Sequence, residues 1–91
     1  MATTTNVKVP VFDSVKKPYE YYVKEIDFWV AACKIPKRQQ GVLLAYELPQ
    51  DDPSGIREKL FSEIDLASLN ADDGVQVFKD YMDGMFKRKM I

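Results

Sequence analysis

The chain has 91 residues, enough for one small core and too few for two. Apolar residues make up 46% and charged residues 30%, a globular composition rather than a disordered one. A net charge of -1, a single Cys and no His argue against a dedicated nucleic-acid module, a disulfide framework, a cysteine-rich zinc site and imidazole catalysis.

Residues 1–8 read as a flexible lead-in. Val7, Val9 and Val11 alternate with Lys8 and Pro10, a short extended pattern that Pro10 limits to an edge strand or a free arm. Residues 1–12 are therefore read as an N-terminal arm and residues 13–91 as a helical domain. Phe12 ends the arm and is too apolar to stand in water. It either plugs its own domain's core, or the arm docks on a neighbouring copy or yields its groove to a partner peptide.

Asp13-Ser14 and Lys16-Lys17-Pro18 open the first helix, with Pro18 at its first position. The helix runs to about Cys33. Tyr22, Ile26, Trp29, Val30 and Cys33 recur at helical spacing and form its apolar stripe. Pro36 breaks the chain and restarts it as an early residue of a second helix, which runs to about Glu47. Val42, Leu43, Ala45, Tyr46 and Leu48 supply its apolar content. Gly41 lies inside this helix at a cost of ~1 kcal/mol relative to Ala, which a close helix–helix approach would explain.

Asp52 stands as an N-cap and Pro53 as the first residue of a third helix, reaching about Ile64. Its inward face is Ile56, Leu60, Phe61 and Ile64. Residues 65–70 add one helical turn with Leu66 and Leu69 inward. Asn70 or Asp72 caps a last helix from about Asp73 to Lys89, with the stripe Val75, Phe78, Met82, Met85 and Phe86. Lys87, Arg88 and Lys89 fall in its last turn, where cations suit the helix dipole. The expected fold class is all-α, a small bundle of four to five helices with an extended N-terminal arm.

Little in the sequence carries chemistry. The adjacent pairs Asp51-Asp52 and Asp72-Asp73 stand where helix caps belong, and no alternating set of oxygen ligands suits calcium. Cys33 has no His to activate it and reads as a small hydrophobe. The four glycines are scattered singly, so no phosphate loop is formed. No cofactor or metal is expected, and an enzyme is not. The N-terminus lacks a signal peptide's apolar stretch, and no apolar run approaches the ~20 residues of a membrane span. Residues 1–45 carry seven Lys/Arg and four Asp/Glu, while residues 46–91 carry six and ten. Such polarity favours head-to-tail contact between copies, unless two solvated faces simply differ.

The order of these features resembles a known family. Val9-Pro10-Val11-Phe12-Asp13, then Tyr19-Glu20-Tyr21-Tyr22 and the helix carrying Trp29, look like the opening of Gag polyproteins from LTR retrotransposons. Gln39 to Leu48 fits the second helix of that pattern. Ile56 to Phe61, Gly74 to Phe78 and Tyr81-Met82 fit those after it. The resemblance spans most of residues 9–90 and rests on spaced aromatics and Leu. It implies the N-terminal lobe of a capsid protein, a small helical domain that self-associates. The same fold resembles the peptide-binding N-lobe of the neuronal protein Arc. These 91 residues include no second capsid lobe and no Cys-Cys-His-Cys zinc knuckle, so under this resemblance the chain is expected to be part of a longer polyprotein.

The expected function is structural. Many weak copies of one contact, closed by symmetry, would build a homo-oligomer, a capsid-like particle in the cytoplasm. Polar candidates for that contact are Lys16, Lys17, Glu20, Lys24, Lys37 and Arg38 on helices 1 and 2. Phe12, Tyr22, Trp29 and Tyr46 are the core or groove candidates. Neither a nucleic-acid nor a membrane partner is expected of this domain. The alternative is a monomeric helical module whose groove takes an extended apolar peptide.

Overall fold

The structure, a computed structural model, describes residues 8–86. The lead-in residues 1–7, Val7 among them, and the basic cluster Lys87, Arg88 and Lys89 lie outside the described residues. Five helices follow one another: α1 (Tyr19–Ala32), α2 (Lys37–Tyr46), α3 (Ile56–Glu63), α4 (Leu66–Leu69) and α5 (Gly74–Phe86). No strand occurs among the described residues, so the fold is all-α.

Proline sets the start of two helices. Pro18 and Pro36 take φ near -58° and -57° with ψ of 143°, so each stands one position before its helix. The Pro18 carbonyl accepts from Tyr21 N–H (3.1 Å) and Tyr22 N–H (3.2 Å), and that of Pro36 from Gln39 N–H (2.9 Å). Pro36 also disfavours helical backbone at Ile35, which ends the run from α1. Gln40, a buried polar side chain, spans this break. Its Nε2 donates to the Ile35 carbonyl (2.9 Å) and to Cys33 Sγ (3.4 Å).

The core follows the helical stripes. Tyr22, Ile26 and Trp29 of α1 are buried with Leu44 and Ala45 of α2, Ile56 and Leu60 of α3, Leu69 of α4, and Phe78 and Met82 of α5. Leu48, just after α2, joins them. Phe12 enters this core from its own chain, edge-on to Tyr22 (ring centroids 5.2 Å) and against Phe86 (4.7 Å). Lys17 holds the incoming segment in place, donating to the Val11 carbonyl (2.6 Å) and pairing with Glu25 (2.6 Å). Lys79 of α5 pairs with Asp27 of α1 (2.7 Å).

α2 and α5 cross at glycine. A Cβ on Gly41 would lie 2.6 Å from the Gly74 carbonyl carbon, closer than real Cβ contacts. A Cβ on Gly74 would meet the Leu69 carbonyl oxygen at 1.9 Å. The close approach expected at Gly41 is therefore present, and its partner is the first residue of α5.

Several expectations need correction. α3 starts at Ile56, not at Pro53, and Asp52 is not its cap. Gly55 N–H donates to the Asp52 carbonyl (3.0 Å), closing a turn with Pro second and Gly fourth. Those are type I turn preferences, and Gly55 leaves the turn with φ of 66°. The last helix begins at Gly74. The Asp73 carbonyl accepts from Val77 N–H (3.0 Å), so the cap position lies later than Asn70 or Asp72. Leu44, not counted among the apolar positions of α2, is fully buried, whereas Tyr46, Phe61 and Leu66 are exposed. Met85 is also exposed, at the edge of the α5 stripe. Asp13 to Lys17 form a separate turn. Asp13 Oδ1 accepts from the Val15 and Lys16 N–H groups (both 2.9 Å), and Pro18 parts this turn from α1.

Candidate interaction site

Several grooves open on the surface of the described residues, and two of them each carry two exposed aromatic rings. One lies along the outer side of α1, where Tyr21, Lys24, Phe28, Trp29 and Ala32 face Lys8 and Pro10 of the incoming segment; it encloses about 610 Å³. Tyr21, Lys24 and Phe28 sit at i, i+3 and i+7, one helical face turned away from the buried stripe. Phe28 is 76% exposed, the most exposed large apolar side chain among the described residues. Trp29 forms the floor, buried, and its indole N–H has no hydrogen-bond partner among the described residues; the same holds for the Tyr22 hydroxyl in the core.

The second groove, about 300 Å³, lies between α2, α3 and α4. Val42, Ala45, Leu60, Ile64 and Leu69 form its floor and walls, with Tyr46, Phe61 and Leu66 at the rim. Arg57 fixes two of the rim residues. Its guanidinium donates to the Tyr46 and Leu48 carbonyls (both 2.9 Å) and lies over the Tyr46 and Phe61 rings at 5.1 and 5.0 Å. The carbonyl of Tyr46, the last residue of α2, thereby gains a donor, and the guanidinium lies over two exposed rings.

Asp52 ties two loops together. Its carboxylate accepts from Ser14 N–H (3.0 Å), Ser14 Oγ (2.7 Å), Ser54 N–H (3.0 Å) and the Ser54 hydroxyl. Burial alone would raise its pKa, but the Ser54 and Ser14 hydrogen bonds outweigh it and hold the carboxyl below the ordinary 3.8. Backbone donors at Lys16 and Val15 lower Asp13 in the same way. The three perturbed phenols are shifted upward. Burial, then Asp83 beside Tyr19 and Glu63 beside Tyr81, disfavours the phenolate; burial and the Glu25 charge do so at Tyr22. Tyr81 is pushed up to about 12.

The residues singled out from sequence fall in different places. Phe12, Tyr22 and Trp29 are buried together in the core, and Trp29 also floors the α1 groove, while Tyr46 stands at the rim of the second groove. Lys16, Lys17 and Glu20 gather at the start of α1, with Lys24 one turn along. Lys37 and Arg38 open α2, beyond the far end of α1, about 21 Å away at 1.5 Å per residue. The six polar candidates therefore do not form one patch. Lys17 is committed to Val11 and Glu25; Lys16, Glu20, Lys24, Lys37 and Arg38 are exposed.

Tyr21, Phe28, Phe61 and Leu66 are exposed although the sequence pattern does not single them out as surface residues. For Tyr21 and Phe28 a signal existed: both are aromatic and both lie off the stripe of an amphipathic helix. For Phe61 and Leu66 none did, because both fit an inward register. Among the described residues no group of three or more His, Cys, Asp or Glu is placed to hold a metal ion. No described helix is long and apolar enough to cross a membrane. Comparison with protein-family models, with curated proteins and with solved structures gives no match.

Proposed function

We propose that this domain works by self-association rather than catalysis, as the capsid N-terminal lobe of a Gag-like protein from an LTR retrotransposon. The observation that supports this reading is the exposure of Tyr21, Phe28, Tyr46, Phe61 and Leu66 around two apolar grooves, on a domain whose core is otherwise closed. Large apolar side chains held out of a finished core mark surfaces that another protein covers. Each groove is small beside a standard interface, so one contact is weak and a particle needs many copies of it. The resulting homo-oligomer would be a capsid-like particle in the cytoplasm, with nucleic acid left to other segments. Sedimentation velocity over a wide concentration range, at low and high salt, tests this. Species growing beyond monomer are expected; a strict monomer at every concentration and salt overturns it.

A second reading has its own observation. Phe12 fills an aromatic pocket made by Tyr22 and Phe86, at the end of a segment without helix or strand. In a peptide-binding module this segment would yield its place to a partner's extended apolar peptide. A Phe12→Ala variant then gains thermal stability from an added peptide of sequence Val-Pro-Val-Phe, by mass action. No rise in melting temperature at saturating peptide counts against that module.

A further inference from the structure

We infer that the two grooves are the two halves of one head-to-tail contact: the α1 face of one copy, led by Phe28, inserts into the α2–α3–α4 groove of the next. The inference rests on the self-association reading and names the surfaces it uses. No residue lines both grooves, so both stay open on one molecule. One is led by a projecting ring, Phe28 at 76% exposure. The other is a concave apolar site of about 300 Å³ between three helices, a space suited to an aromatic side chain.

The charges around them are complementary. Lys8 and Lys24 line the α1 groove, and neither joins an ion pair among the described residues. The one acid there, Glu25, is already paired with Lys17. At the second groove, Glu47 follows Tyr46 and Asp65 stands between Ile64 and Leu66; both are exposed and outside any ion pair among the described residues. Arg57, the cation at that site, keeps its charge, because the Tyr46 and Leu48 carbonyls that hold it are neutral, so the two acids exceed it by one. A cationic aromatic face therefore meets an apolar groove whose rim residues Tyr46 and Leu66 each adjoin an exposed acid in sequence, with Arg57 offsetting one of the two charges. The same surfaces oppose an isologous pairing, since two α1 faces would bring Lys24 and Lys8 against their own copies. A heterologous contact of this kind leaves one half open on each end and grows until a ring or filament forms.

Two variants test the pairing, both at exposed sites where folding is not at stake. Phe28→Ser removes the projecting ring. Leu66→Lys places a cation at the groove that receives Lys24. Circular dichroism first establishes that each is folded. By sedimentation velocity each variant alone should lose the concentration-dependent growth of the parent. Mixed in equal amounts they should form a one-to-one dimer and nothing larger, because each supplies the half the other lacks. Raising the salt should weaken that dimer. If the parent grows and both variants grow equally, or if the mixture stays monomeric, the pairing is wrong while self-association stands. Growth of Leu66→Lys alone beside a monomeric Phe28→Ser would show α1 pairing with itself and also overturn it. A parent that never leaves the monomer removes both the pairing and the self-association it rests on.

Discussion

Asp52 joins the turn before α1 to the turn before α3 through four hydrogen bonds from two serines. Replacing it by Asn keeps the shape and removes the charge those donors face, so Asp52→Asn should lower stability by about 1–3 kcal/mol at neutral pH, read by urea melts. Its folded pKa lies below the ordinary 3.8. The stabilisation is therefore present above that value and lost as pH falls through the folded one. The parent should weaken more steeply than Asp52→Asn on acidification below about pH 4, with the two curves converging. The sequence could not reveal this role. Asp-Asp-Pro-Ser-Gly suits a helix N-cap and a type I turn equally, and only Ser14, 38 residues away, decides between them. Tyr46 shows the same limit. Its position in α2 was legible, but its outward ring depends on Arg57 from another helix.

Long stripes made some elements readable. α1 and α5 carry aromatics and long aliphatics at helical spacing through three turns, and both appear within a few residues of where the pattern places them over the described chain. α3 has only eight residues. Two apolar registers fit so short a helix, and the structure buries Ile56 and Leu60 while leaving Phe61 outside. Gly41 was legible as an anomaly, an interior glycine with a propensity penalty, but its partner Gly74 was not. Gly41→Ala should gain ~1 kcal/mol in helix propensity and still destabilise by about 1–3 kcal/mol net, because Gly74 backbone stands in the way of the new Cβ. Thermal unfolding reads the sign. A more stable Gly41→Ala protein would mean that α2 and α5 can separate freely. Arg57→Ala should also destabilise, by about 1–2 kcal/mol, since the carbonyls of Tyr46 at the end of α2 and of Leu48 beyond it lose their donor.

Over the whole molecule, tyrosine hydroxyls tie distant elements. Tyr19 of α1 donates to Asp83 of α5, and Tyr81 of α5 to Glu63 of α3 (2.8 Å). Each of these phenols holds its proton more tightly folded than unfolded. Stability from them is thus complete below the ordinary 10.0 and is lost as pH rises, through about 12 at Tyr81. Melting temperature should fall above pH 10, and the double variant Tyr19→Phe, Tyr81→Phe should flatten that fall. An unchanged slope would show that the ties do not act. The all-α class was legible from periodicity alone. The grooves were not, because they are made by residues from three helices and by side chains that the core leaves out.

Phe12 packs on Phe86, while Lys8 and Pro10 ahead of it run along α1 to face Phe28 and Ala32. A pull applied at Lys8 would therefore act on the α1 groove before it reached Phe12. The segment would peel from Phe28 and Ala32 toward Tyr19, opening the α1 face while the helices stay packed.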